Sequence, residues 1–168
     1  VSSELLWGTE QPFGGPSDGS NSATNNTSIV LSLAYGGARV LLMGDAEEAV
    51  EKELVAQAVA GTISLKANVL KVGHHGSDSS STPDFLSRVF PVPSANDFAL
   101  ISSGRKSFGG SQLPTDTTVN RLRGLLGTYH LLSTENRDET KGSGDAAGDD
   151  HIIITIDSNS QTEACYAP

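Results

Sequence analysis

The stretch Leu70-Lys71-Val72-Gly73-His74-His75-Gly76-Ser77 decides the fold. With Ala67-Asn68-Val69 ahead of it, it reads as a strand over 67–72 that ends in a polar glycine/serine loop bearing two imidazoles. A second stretch has the same form: Arg39-Val40-Leu41-Leu42-Met43 is apolar enough for a strand buried on both faces, and it runs into Gly44-Asp45. In open α/β sheets, side chains just past the carboxyl ends of strands line the functional crevice. A carboxylate and an imidazole from neighbouring strand ends suit zinc or manganese, which accept oxygen and nitrogen ligands together. Each feature taken alone has an ordinary reading. Asp45-x-x-Glu48 could cap the helix that follows, and paired histidines in such a loop could be solvated turn residues. Ser77 and the serines after it read as loop chemistry. The coincidence of both signals at the same kind of strand end favours a site.

Working outward, 28–34 reads as a strand, Tyr35-Gly36-Gly37-Ala38 as a turn and 39–43 as its hairpin partner. A helix is expected from Asp45 to about Ala60, with Ala46, Val50, Leu54 and Ala58 on its apolar stripe and Glu47, Glu51 and Lys52 turned away. Thr82-Pro83-Asp84 opens a short helix packed through Phe85, Leu86 and Val89, with Thr82 as N-cap. A strand over 98–102 follows, then a helix from Pro114-Thr115-Asp116 with Val119, Leu122 and Leu126 inward. Strands at 129–133 and 151–156 complete the set, joined across a charged, glycine-rich hairpin loop at 135–150. Residues 8–28 read as a leading loop, in which Asn25 and Asn26 fit the glycosylation pattern but are better taken as a turn-forming polar cluster. The class is α/β. The chain divides into residues 1–27, a loop or remnant of a preceding half, and 28–168, the domain itself.

Composition narrows the function. A net charge of -9 argues against a protein that holds nucleic acid by a general basic surface, though a bound metal can supply positive charge locally. The lone Cys165 makes neither an internal disulfide nor a cysteine zinc motif. No apolar run approaches the ~20 residues of a membrane span. No Gly-x-Ser-x-Gly elbow follows a strand, which removes a serine-nucleophile hydrolase of that type. The N-terminus carries no signal pattern, and localisation cannot be read from it.

The order Asn25-Asn26-Thr27-Ser28-Ile29-Val30-Leu31, then Leu41-Leu42-Met43-Gly44-Asp45, then Leu70 to Ser77 resembles metallo-β-lactamase-fold hydrolases, and most closely the ComEC-type hydrolase domain of DNA-uptake competence proteins. It covers roughly residues 25–126. The resemblance implies an αββα sandwich with two divalent metal ions, zinc or manganese, at one sheet edge. Asp45 would bridge the metals, His75 would ligate the second, and His74 would lie beside the substrate in a catalytic role. Ser77, Arg105 and Lys106 are the candidate substrate contacts. The family's His-x-His-x-Asp-His motif and the histidine that follows it are absent, and only four histidines occur in the chain. The sequence, which starts at Val1, is therefore expected to be the C-terminal half of such a domain.

The implied reaction is phosphodiester or phosphoester hydrolysis of a small-molecule or nucleic-acid substrate, with a lactam or thioester as the other chemistry. A membrane would enter only through a domain outside this sequence. The competing class is a truncated, non-catalytic half that serves as a binding or structural module. Alone, the chain is expected to bind metal weakly, to show no turnover, and to self-associate through an apolar sheet face that its helices leave uncovered.

Overall fold

Strands and helices alternate as the periodicity requires, in a computed structural model that describes residues 1–9, 21–104, 107–108, 111–134 and 151–167. The elements are β1 (Ser2–Trp7), α1 (Asn21–Asn25), β2 (Val30–Tyr35), β3 (Ala38–Leu42), α2 (Glu48–Val59), β4 (Val69–Lys71), α3 (Pro83–Val89), β5 (Phe98–Ile101), β6 (Ser107–Phe108), β7 (Ser111–Gln112), α4 (Asp116–Leu126), β8 (Leu131–Ser133), β9 (Ile152–Ile156) and β10 (Thr162–Tyr166). The main sheet has six strands among the described residues, in the order β1-β2-β3-β4-β5-β8. β1, β2 and β3 are antiparallel neighbours, whereas β3, β4, β5 and β8 run parallel. The result is a mixed α/β sheet. Helices α2, α3 and α4 form the crossovers between the parallel strands, so β3, β4, β5 and β8 all end at one rim.

The Tyr35–Ala38 turn closes the β2–β3 hairpin, with Gly36 at φ +57°. Register divides the residues between two faces. Leu41, Leu70 and Ala99 are partners on one face and join the core with Val50, Leu54, Phe85, Leu86 and Leu122 from the helices. Burial of each such large side chain contributes roughly 1.5–3 kcal/mol. On the other face lie Leu33, Val40, Val69 and Phe98, then Leu31, Leu42, Lys71 and Leu100. There Val69 and Phe98 are buried while Leu31, Leu33, Val40, Leu42 and Leu100 are only half-buried. The β9–β10 hairpin touches the sheet through Tyr166, whose hydroxyl accepts from Ser133 N, and through Ser160, whose hydroxyl accepts from Gly37 N.

Several readings change. β1, α1 and β10 fall where no regular element was expected, and α1 lies inside the supposed leading loop. His130 belongs to a 3-10 turn ahead of β8 rather than to the strand. α2 begins at Glu48, with Glu47 in the cap position and no side-chain cap bond, so Asp45 stands outside the helix and does not cap it. Glu47 and Glu51 are buried rather than turned away, because positions 47, 51, 54 and 58 share a helical face. Glu51 accepts hydrogen bonds from the N–H groups of Ser81 and Thr82 and so caps the entry to α3, a task that the Thr82 side chain does not perform. The loop at 135–150 lies outside the described residues. No helix among the described residues is long and apolar enough to cross a membrane.

Candidate functional site

Two tight turns build the rim at the ends of β3 and β4. After β3 the chain reverses at Gly44, whose φ is +57° and where an added Cβ would sit 2.9 Å from Ser28 Cβ. Glycine is therefore required there. Ser28 then accepts from Asp45 N at 3.0 Å, which fixes the start of the acidic turn. After β4, His74 N donates to Gly44 O at 3.0 Å and ties the second turn to the first. His74 and His75 both adopt left-handed backbone, at φ 44° and 53°. Two successive non-glycine residues in that region store strain of order 1–3 kcal/mol each, a condition found at functional sites.

The serine run holds that strain in place. Ser77 N donates to His74 O, and Ser80 Oγ donates to Gly73 O at 2.9 Å. Ser77 is 9% exposed, and its hydroxyl meets Ser79 Oγ at 3.0 Å. Ser79 O accepts from Glu48 N, which joins the loop to the start of α2. Arg121 Nη1 donates to Ser81 O, which pins the loop to α4.

The turns bring Asp45 and His75 together. His75 Nε2 lies 3.4 Å from Asp45 Oδ1, with both side chains 44% exposed. The other ring nitrogen, Nδ1, is 2.6 Å from Ser102 O. A carbonyl can only accept, so Nδ1 carries the proton in that bond and Nε2 faces the carboxylate. A metal-ligating histidine characteristically donates its second N–H to a carbonyl or carboxylate in this way. The pair thus fits two ligands of a divalent ion. No group of three or more His, Cys, Asp or Glu able to hold an ion forms among the described residues, so the pair does not close a site unaided.

His74 occupies a separate environment. Its Nδ1 is 3.2 Å from Glu47 Oε1 and 3.2 Å from Ser79 Oγ, and its Nε2 makes a long 3.4 Å contact with Asn25 Nδ2. Asn25 also donates to Glu47 Oε1 at 2.7 Å. Asn26 is buried, and its Oδ1 accepts from Glu47 N at 2.9 Å. The asparagine pair thus docks α1 on the start of α2. Lys71, at the end of β4, is largely buried; desolvation lowers its pKa from the ordinary value, and the charge of Asp45 opposes that shift.

Of the sequence-derived candidates, Asp45, His75 and His74 therefore share the rim, and Ser77 lies beneath it. Arg105 and Lys106 lie outside the described residues. His130 is at the opposite end of the sheet, where it stacks on Phe98 and contacts Asp97 O at 2.9 Å. Sequence reasoning missed Glu47, Asn25, Ser102 and Lys71. The carboxylate at 47 could have been found from its helical spacing to Glu51 and Leu54; nothing local marks Ser102.

No family model matches the chain. Among curated proteins it is 36% identical over 116 residues to Competence protein ComA of Neisseria gonorrhoeae, covering 69% of this chain and 15% of that protein. It is 37% identical over 83 residues to ComE operon protein 3 of Bacillus subtilis, covering 49% of this chain and 10% of that one. Recombination protein 2 of Haemophilus influenzae is 45% identical over 83 residues, covering 49% of this chain and 9% of that protein. The chain spans no more than 15% of the length of these relatives. The similarities support a competence-related family.

Proposed function

We propose that this chain carries part of the catalytic rim of a metal-dependent hydrolase of the metallo-β-lactamase type, acting on phosphodiesters in DNA uptake. The observation that supports it best is the opposed pair His75 Nε2 and Asp45 Oδ1, 3.4 Å apart on two parallel strand ends. The competence-related similarities support the DNA-uptake setting. Two divalent ions, zinc or manganese, would supply Lewis acidity and a water acidified to near neutrality when bound.

The chain's own residues supply position. Asp45 contributes a carboxylate fixed by the Gly44 reversal and by Ser28. His75 contributes an imidazole whose ring is held by Ser102 O. His74 takes the substrate side: with Nδ1 held by Glu47 and Ser79, its protonated ring donates from Nε2 to an oxygen of the substrate in place of the weak 3.4 Å contact with Asn25.

The test is hydrolysis of bis-p-nitrophenyl phosphate by the parent protein, with and without chelator, and by its Asp45→Ala variant. Hydrolysis abolished by either change is expected. The isolated 168-residue chain should show none, and chelator-sensitive turnover by it, lost in Asp45→Ala, would contradict the incomplete-site reading. A second reading, a non-catalytic binding module, draws on the absence of a third ligand among the described residues. An inactive parent protein that nevertheless binds DNA would favour it.

A further inference from the structure

We propose that Lys71 is an anion-binding residue that holds a non-bridging phosphodiester oxygen at the rim beside Asp45 and His75; this rests on the phosphodiester reading above. Leu70 belongs to the helix-covered core, so the next residue along β4 points to the opposite face. There the register sets Lys71 between Leu42 and Leu100, both half-buried. The stem is thus packed among leucines, and the ammonium extends along the strand to the rim, where Nζ donates to Val72 O at 2.8 Å. Such snorkelling buries the methylenes and leaves the charged head at the edge.

A lysine that served only as counter-ion to Asp45 would pair with it directly. The two charges influence one another, yet the ion pairs among the described residues do not include Lys71 with Asp45. An ammonium has three N–H donors, and Val72 O takes one. The remaining donors have no protein partner among the described residues, within electrostatic reach of Asp45. Two other described cations are engaged elsewhere: Lys52 pairs with Glu48, and Arg121 with the carbonyls of Ser80 and Ser81. In a chain of net charge -9, an anionic substrate needs such a local cation to reach this edge.

The test compares binding of the thymidine dinucleotide d(TpT) with that of its uncharged methylphosphonate analogue, by calorimetry and amide NMR on the full 168-residue chain. The expected result is a preference for the charged dinucleotide of about tenfold, the size of one charge-assisted hydrogen bond. Lys71→Met, close in volume, should abolish the preference, and Lys71→Arg should keep part of it. Amide spectra report whether each variant is folded, and Lys71→Gln replaces Lys71→Met if that one is not. An equal affinity of the wild-type chain for the two ligands, or a preference that survives Lys71→Met, would overturn the proposal. Hydrolysis is measured separately in the parent protein. A lysine-dependent charge preference without any hydrolysis would contradict the hydrolase reading and leave the anion site standing.

Discussion

His75 Nε2 faces Asp45 Oδ1 at 3.4 Å across the ends of two adjacent parallel strands, while the other nitrogen of the same ring rests on Ser102 O from a third. Three strand ends therefore converge on one imidazole. The contact depends on tight backbone reversals at Gly44 and at His74-His75, because only a sharp turn sends the first residues past each strand sideways along the rim instead of onward into solvent.

Gly44 is the position most sensitive to a single methyl. Alanine there would need φ +57° and would meet Ser28 Cβ at 2.9 Å and Ser28 Oγ at 3.1 Å. Gly44→Ala is expected to destabilise the fold by about 1–3 kcal/mol and to displace Asp45, because Ser28 also binds Asp45 N. Urea unfolding and the His75 side-chain NMR signals check both consequences. Gly61→Ala is the control: it carries the same backbone strain at φ +76° with open space around it, so it should leave the His75 signals unchanged.

Glu51 predicts a pH dependence. Burial holds its carboxyl above the ordinary value of 4.5, against the lowering effect of the Ser81 and Thr82 hydrogen bonds and of Arg121. At low pH the group is protonated in both folded and unfolded chains. As pH rises past 4.5 the unfolded chain releases the proton first, so this group's contribution to stability falls until the folded form has also ionised, then levels. Glu51→Gln should remove that decline in melting curves taken across the interval. Glu51→Ala should cost about 3 kcal/mol, because it strands one buried and one half-buried N–H group at the entry to α3.

The half-buried part of the sheet face opposite the helices, with edge strand β1 beside it, predicts association. Leu31, Leu33, Val40, Leu42 and Leu100 are half-buried on the face opposite the helices, and Leu5 of edge strand β1 is 63% exposed. The isolated chain should associate in sedimentation equilibrium at micromolar concentration, and Leu33→Lys with Val40→Glu should reduce that association. A monodisperse monomer with sharp thermal unfolding would count against it.

The sequence revealed the strand ends because each combines an apolar run with an abrupt Gly-Asp or Gly-His-His stop. The hairpin was equally legible, since Gly36-Gly37 breaks two β-rich runs at the right interval. What it concealed has physical causes. β1 is an edge strand whose residues 2–5 are exposed, so no apolar alternation marks it. α1 is made of poor helix formers and is held from outside, by Asn25 on Glu47 and by Trp7 Nε1 on Asn26 O. Glu47 and Glu51 resemble the solvated face of a surface helix; Asn25 and His74 against the first, and the Ser81 and Thr82 amides against the second, make them buried acceptors. Ser102 acts through its backbone carbonyl, which no side-chain pattern can signal.

The most direct test is a zinc titration of the isolated chain with nitrogen-15-labelled histidine. Weak binding is expected in which His75 Nε2 shifts while Nδ1 stays protonated on Ser102 O, with the response lost in Asp45→Ala and the His130 and His151 rings unaffected. Zinc that shifted His130 or His151 instead, or a His75 response unchanged in Asp45→Ala, would contradict the claim that Asp45 and His75 are joint ligands.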